Sequence, residues 1–394
     1  MIHTYKISFL SLLLLFVSGC SFMVSRVLPI KDIQSPTGMY GVGTKVFYWI
    51  DKDREEWFSE DINDNRELMV QVWYPSNIST ADTDPWLDNP KLREDAIIDN
   101  FKVPKFIAKA VDRIDTDSYI DSSPLIEGSF PVIIFSHGFE GFRSQNTTQI
   151  QELVSNGYIV FAADHTYDAV VTIFPDGRKI PTAKKYCRDC EPEEFYEVFT
   201  PQINTRIADI RFIIDQIERI KSGEIESNFS HMMNDDIGVF GHSFGGGTSL
   251  AATILDSRIK SCLSLDGWYA PVHPDVYNRG ISTPFLHLGQ VEWPTDINYN
   301  ILDEILESKS EDIAYKLTLD GAHHYDFTDS PHLSNLSSSL KLSSDLDSEE
   351  ILDVTNTTVL GFFDEHLKSK ETDWIQNLKN NVNTKIEEFN SIEK

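Results

Sequence analysis

Cationic residues are scarce in this chain. Lys and Arg number 34 against 62 Asp and Glu, a formal net charge of −28. No basic tract exists to neutralise phosphates, which excludes nucleic acid as a partner. The same charge repels anionic lipid surfaces, so contact with a membrane requires a separate device. Cysteine is rare, four in 394 residues, far below the density of a disulfide scaffold. There is no internal repeat and no convincing linker in mid-chain. What remains, 41% hydrophobic and 24% charged residues, suits one large α/β domain with a sizeable core.

The N-terminus supplies the missing membrane device. Lys6 precedes an apolar stretch at 7–17, too short to span comfortably as a permanent helix, and Ser18-Gly19-Cys20 follows. Charge, apolar core and small residues in this register are those of an export signal. Val17-Ser18-Gly19-Cys20 resembles the lipobox of bacterial lipoproteins. That resemblance implies a signal peptide over 1–19, cleavage before Cys20, lipidation of the Cys20 thiol and a tether over 20–35. Two or more acyl chains would then hold an exported domain, 36–394, at a membrane of the bacterial cell envelope. An ordinary signal peptide with a chance cysteine is the competing reading. Cys262 lies in an apolar strand and is expected as a small buried hydrophobe. Cys187 and Cys190 form C-x-x-C in a long polar segment. A local disulfide stapling that loop fits an exported chain better than a redox pair, which lacks its βα context, or zinc, which lacks a second ligand pair.

Strands are predicted at 39–50 and 68–74, joined by an acidic segment. The excursion at 77–128 is polar and partly helical; it either covers an active site as a lid or is a solvated surface insertion. From residue 131 the alternation is regular. Strands at 132–135, 158–163, 237–240, 259–265, 285–288 and 314–319 are interleaved with helices near 147–156, at 201–222, after Ser243 and within 351–390. Pro175-Asp176-Gly177 marks a hairpin in the loop region 164–199. Thr200 is placed as the cap and Pro201 in the first turn of a helix whose Ile203, Ile207, Ile210, Ile214 and Ile217 make one apolar face. The Ser-rich segment 334–348 is expected as a mobile loop. Strands alternating with helices imply an α/β fold with a mainly parallel central sheet and helices on both faces.

The most informative motif is Gly241-His242-Ser243-Phe244-Gly245, between an apolar strand and a run of small residues that starts a helix. Strand, G-x-S-x-G, helix is the nucleophile elbow of the α/β-hydrolase fold. A serine hydroxyl needs a histidine within hydrogen-bond reach and a carboxylate to orient it. In this fold the chain order is Ser, acid, His. Asp266 ends strand 259–265; Asp320 and Asp326 are alternatives but lie close in sequence to the histidines. His323 and His324 both follow strand 314–319. One oxyanion donor is expected from the Phe244 backbone N–H and the other from Phe139, in the turn after strand 132–135. His137, His165, His242 and His287 also fall near strand ends and are expected to serve packing or loop hydrogen bonds. This chemistry needs neither metal nor cofactor.

These pieces together resemble the platelet-activating-factor acetylhydrolase family of the plasma, secreted type. The blocks are Val72-Trp73-Tyr74-Pro75, Phe135-Ser136-His137-Gly138-Phe139 with Gly141-Phe142-Arg143, Gly241 to Gly246, Leu265-Asp266-Gly267-Trp268, and Gly321-Ala322-His323-His324. They cover about residues 40–330. The resemblance selects His324 as the matching histidine. It implies calcium-independent hydrolysis of short or oxidised acyl esters of phospholipids, with no cofactor. An additional Gly247, the cysteine-containing loop and the lipobox depart from the pattern and bear on substrate specificity. Within the enzyme class the rivals are a lipase, a cutinase-like polyesterase or a dienelactone-type hydrolase. Outside it the rival is a non-catalytic surface lipoprotein. Oligomeric state is not legible.

Overall fold

A computed structural model describes residues 30–77, 82–183, 191–309 and 313–389. The stretch read as an export signal, Cys20, and Cys187 and Cys190, read as a local disulfide, lie outside the described residues. The strands are β1 (Gly41–Glu55), β2 (Asn65–Ser76), β3 (Thr83–Pro85), β4 (Asp115–Ile120), β5 (Phe130–Ser136), β6 (Ile159–Asp164), β7 (Val171–Ile173), β8 (Lys179–Pro181), β9 (Met233–His242), β10 (Ile259–Leu265), β11 (Phe285–Gln290), β12 (Ala314–Leu319) and β13 (Thr384–Phe389). The helices are α1 (Pro90–Phe101), α2 (Lys105–Ala110), α3 (Thr147–Ser155), α4 (Pro192–Lys221), α5 (Phe244–Leu255), α6 (Pro274–Tyr277), α7 (Asp296–Glu304), α8 (Ser348–Lys368) and α9 (Trp374–Lys379).

Among the described residues, eleven strands form one sheet in the order β13-β12-β11-β10-β9-β5-β6-β2-β1-β4-β3. The stretch from β12 to β6 is parallel throughout. Antiparallel β13 flanks it at one end and the long β1–β2 hairpin at the other. The parallel strands are apolar on both sides, and the two sets of side chains part at every second residue. Val132 and Ile134 join the core under α4 and α5, where the expected row Ile203, Ile207, Ile210, Ile214 and Ile217 packs. Ile133 and Phe135 join the core under α3 and α8, with Ile150, Leu153, Phe362 and Phe363. Each crossover helix thus finds an apolar sheet face, and every parallel strand points its C-terminal end to the same edge, where open α/β sheets build their sites.

Several expectations need correction. The helix predicted at 201–222 begins at Pro192 and carries Pro201 in its interior, so Thr200 is not its cap. An internal proline costs about 3 kcal/mol. The extension buries Phe199 completely against Trp268 and Phe244, which offsets that cost. The C-terminal region is not helical throughout: β13 pairs antiparallel with β12. Its two apolar residues, Ile386 and Phe389, are three positions apart, so no strand period marks it in the sequence. The tether expected over 20–35 is docked from Ile30 on, since Ile33 is buried and Lys31 N–H donates to the Leu333 carbonyl at 2.8 Å. The Ser-rich 334–348 segment is held in place: Ser337 Oγ donates to the Ser330 carbonyl at 2.8 Å and Ser344 N–H to Asp326 at 2.9 Å. The expected β7–β8 hairpin is present.

The excursion after β2 is packed rather than solvated. It supplies β3 and β4 to the sheet edge and a third apolar cluster of Trp86, Leu87, Ile97, Ala108 and Ile114 on Phe142, Val170 and Val171. Buried arginines bolt it down. Arg93 bonds Asp88 and Asp164, and Arg143 bonds the same two carboxylates. Among the described residues no helix is long and apolar enough to cross a membrane.

Candidate active site

Ser243 sits between β9 and α5 with φ 56° and ψ −120°, a conformation a non-glycine residue holds only when its surroundings impose it. They do so here. Ser243 N–H donates to the Leu265 carbonyl at 3.0 Å, and the Ser243 carbonyl accepts from Trp268 N–H at 2.8 Å, so the turn is sewn to the end of β10. Close approach accounts for the glycines. A Cβ on Gly245 would lie 1.9 Å from the Ser136 carbonyl oxygen, and one on Gly247 2.1 Å from the Trp268 oxygen. The additional Gly247 is therefore the residue that lets α5 start directly beneath the Asp266–Tyr269 loop.

The chain ends of β10 and β12 bring the other two side chains to this turn. Asp266 follows β10 and is wholly buried; His324 follows β12 and starts a short 3-10 turn, His324–Phe327. His324 Nδ1 is 2.6 Å from Asp266 Oδ2, and Nε2 is 2.9 Å from Ser243 Oγ. A carboxylate can only accept, so Nδ1 carries the proton and Nε2 faces the serine hydroxyl as an acceptor. Asp266 also accepts from Gln290 N–H at 3.0 Å, Gln290 Nε2 at 2.9 Å and Trp293 Nε1 at 3.2 Å. Burial pushes its carboxyl pKa up, but the hydrogen bond and charge of His324, with the Gln290 amide, outweigh burial and hold it below the usual value. His323 does not face the serine; it caps the turn, and its N–H donates to Asp326 at 2.8 Å. Asp326 is occupied by that bond and by Ser344, so the structure brings neither His323 nor Asp326 into the constellation.

The loop after β5 lies against the elbow. The rings of Phe139 and Phe244 meet edge to face at 6.2 Å, and a Cβ on Gly138 would lie 3.4 Å from Ser243 Cβ. Two devices hold this loop, and the sequence reading found neither. Gln145 accepts from Gly138 N–H at 2.8 Å and its Nε2 is 3.3 Å from His242 Nδ1; His242 Nε2 donates in turn to the His324 carbonyl at 2.9 Å. This chain of side chains joins the β5 loop to the histidine loop. Burial, and then the neighbouring His324, lower the His242 pKa to about 3, which keeps it neutral in this role. On the opposite side, fully buried Arg206 of α4 donates to the His137 carbonyl at 2.7 Å and the Gly138 carbonyl at 3.2 Å. Its guanidinium is paired with Asp168 at 2.5 Å and lies 4.8 Å above the Phe244 ring. One cation therefore touches both segments from which oxyanion donors are expected.

A second Ser-His-Asp chain lies deeper. Ser136 Oγ is 2.9 Å from His165 Nε2, and His165 Nδ1 is 2.9 Å from Asp209 Oδ2. All three are at most 1% exposed, whereas the His324 side chain is 29% exposed. Only the Ser243 constellation is open to a substrate. His137, His165, His242 and His287 are all buried and hydrogen-bonded. Gln290 and Trp293 were also missed. Gln290 ends a parallel strand at the site edge, a signal that could have found it; Trp293 stands in a loop with none.

A mainly parallel sheet with helices on both faces and a serine on a strand–turn–helix elbow define the α/β-hydrolase class. The ferulic acid esterase from Streptomyces cinnamoneus shares this fold, with a TM-score of 0.69 over 87% of this chain and 94% of that one, at 24% identity. The family model for platelet-activating factor acetylhydrolase, isoform II, matches residues 29–386, and the chain belongs to that family. Platelet-activating factor acetylhydrolase of Gallus gallus is 26% identical over 280 residues, 61% of this chain and 63% of that protein. The Canis lupus familiaris protein of the same name is 28% identical over 269 residues, 62% of this chain and 59% of that protein. The match thus spans less than two thirds of either relative. A probable 1-alkyl-2-acetylglycerophosphocholine esterase of Arthroderma benhamiae is 24% identical over 272 residues, 65% of each chain.

Proposed function

We propose that the protein is a serine carboxylic ester hydrolase acting on short-chain acyl esters, including acetyl esters of glycerophospholipids. The observation that carries this reading is the alignment of Ser243 Oγ, His324 and Asp266 at 2.9 and 2.6 Å on a strained elbow. His324 Nε2 takes the Ser243 proton as Oγ attacks the ester carbonyl. The oxyanion is met by the backbone N–H groups of Phe139 and Phe244. His324 then gives the proton to the leaving alcohol, and Asp266 keeps the imidazole in its tautomer and balances the imidazolium. Water, deprotonated by the same nitrogen, releases the acid from the acyl-enzyme. Family membership and the esterase names of the relatives support the ester class. The test is turnover of p-nitrophenyl acetate and of a 2-acetyl glycerophosphocholine, with and without Ser243→Ala. Serine-dependent hydrolysis of both is expected; hydrolysis that survives Ser243→Ala would refute the assignment.

We also infer that Cys20 carries lipid and tethers the exported domain to a bacterial envelope membrane, on the strength of Lys6, the apolar stretch and Val17-Ser18-Gly19-Cys20. Cys20→Ser is expected to release the protein to the soluble fraction; persistent membrane fractionation would overturn the anchor. Cys187 and Cys190 are proposed as a local disulfide, to be checked by the mass of the alkylated, unreduced peptide.

A further inference from the structure

His287 of β11 is a titratable side chain that the reaction above leaves unused. It is wholly buried, and its Nδ1 is 2.7 Å from the Tyr269 hydroxyl. Among the described residues its Nε2 has no hydrogen-bond partner. An orphaned ring nitrogen in the interior carries a desolvation cost and calls for a reason. Its position supplies one. A Cβ on Gly289 would lie 2.5 Å from His287 Nε2 and 2.6 Å from Asp266 Oδ1. The two atoms converge over the same α-carbon, within about 5 Å of each other, and only a glycine leaves the space between them open. The acceptor positions of Asp266 are taken by His324, by the Gln290 N–H and side-chain amide, and by Trp293. His287 therefore acts on the carboxylate as a dipole across the gap rather than as a further hydrogen-bond donor.

The tautomer sets the sign of that dipole. A bare Nε2 would turn its lone pair toward the carboxylate, whereas Nε2–H turns its positive end. The second arrangement is favoured, and it requires Nδ1 to accept, so the Tyr269 hydroxyl donates. Burial pushes the Tyr269 pKa well above its ordinary value, so the phenol keeps its proton, and burial lowers His287 to about 4, so the ring stays neutral. The other groups facing His287 are the Tyr299 ring at 5.5 Å and Lys316 and Asp303, which are paired with each other. We propose that His287 is a positioning residue for the catalytic acid: its Nε2–H tempers the charge of Asp266 at the oxygen that His324 does not touch, and Tyr269 fixes the tautomer that does so. The proposal rests on the hydrolase reading above. Charge withdrawn from Asp266 is withheld from the imidazolium of His324. Without the N–H, Asp266 stabilises that imidazolium more strongly, so the acid limb of kcat/KM moves to higher pH. His324 otherwise faces Ser243 and the rings of His242, Trp293 and Tyr325, and of these neighbours only Asp266 is charged.

The experiment compares the full wild-type chain with three variants. His287→Phe deletes both ring nitrogens at similar volume, His287→Gln keeps an N–H near the place of Nε2, and Tyr269→Phe deletes only the hydroxyl. The pH profile of kcat/KM is read on p-nitrophenyl acetate. Independently of turnover, the low-field proton resonance of His324 Nδ1–H, assigned by its loss in His324→Asn, reports the bond to Asp266. His287→Phe is expected to move the acid limb up by about half a pH unit, less than a full neighbouring charge would, and the resonance downfield. Tyr269→Phe is expected to move both in the same direction by less, and His287→Gln to return both to near wild type. If His287→Phe does not fold, Tyr269→Phe decides on the same two readouts. Equal shifts in His287→Phe and His287→Gln would show that packing rather than the N–H is felt, and would overturn the proposal. A limb and a resonance unmoved in both phenylalanine variants would overturn it too. A resonance that responds as expected in a protein that hydrolyses no ester would refute the hydrolase reading, and the part of His287 in the reaction with it.

Discussion

At the scale of residues, the constellation is a problem in distance. Ser243, Asp266 and His324 were legible because each follows the C-terminal end of a strand and carries a local signature: a G-x-S-x-G turn, and an acid and a histidine in the right chain order. Arg206, Gln145 and Trp293 were not, because nothing local distinguishes an arginine in an amphipathic helix from one that points to solvent. Arg206 meets His137 from 69 positions away. Its fork spans two carbonyls, Asp168 and the Phe244 ring, which a lysine ammonium cannot reproduce. Arg206→Lys is expected to reduce kcat by about tenfold to a hundredfold, short of the loss for a deleted oxyanion donor, with KM changed less than about twofold. Steady-state kinetics on p-nitrophenyl acetate checks this; a rise in KM at unchanged kcat would mean that Arg206 does not position the oxyanion loop.

At the scale of elements, the elbow and the excursion are both fixed by contacts that periodicity cannot reveal. The parallel strands were found because runs such as Val132 to Phe135 are apolar on both faces, whereas β3, β4 and β13 have mixed or half-buried faces and depend on the strands they flank. The start of α4 was hidden by Pro201, a breaker that packing overrides. Gly247 belongs to the same lesson: its need arises from the Trp268 carbonyl 2.1 Å from where a Cβ would stand. Gly247→Ala is expected to destabilise the protein by about 1–3 kcal/mol, the usual cost of overpacking, measured as a lowered urea midpoint with unchanged slope. For the excursion, Arg93→Ala removes one of the two cations on Asp88 and Asp164 while Arg143 stays, and is expected to cost about 1–3 kcal/mol. A loss below about 1 kcal/mol would show that the excursion is not bolted through that pair.

At the scale of the whole molecule, the formal net charge is −28, while the interior holds neutral histidines. Burial lowers His165, His287 and His332 to about 4 and His242 to about 3, and His137 is also held well below its ordinary value. The unfolded chain binds these protons near pH 6.5, and the folded chain does not until lower pH. Between about pH 6.5 and 4 the unfolded state therefore carries more protons, so stability is full above that window and is lost as pH falls through it. Asp84 and Asp329, raised by burial to about 6, and Asp168, also raised, act in the opposite direction. Three such groups against five histidines reduce the slope without reversing it. The urea midpoint is expected to fall from pH 7 to pH 4.5, and His287→Gln to flatten that fall by about one proton; a midpoint that rises on acidification would contradict this balance.

The central claim, that Ser243 is a nucleophile activated by His324, is tested most directly by reacting the full chain with an ethyl fluorophosphonate and mapping the adduct by mass spectrometry. One phosphonyl group on the peptide containing Ser243 is expected, with the labelling rate reduced at least a hundredfold in His324→Asn. No adduct, an adduct on another serine, or equal labelling of the His324 variant would contradict it.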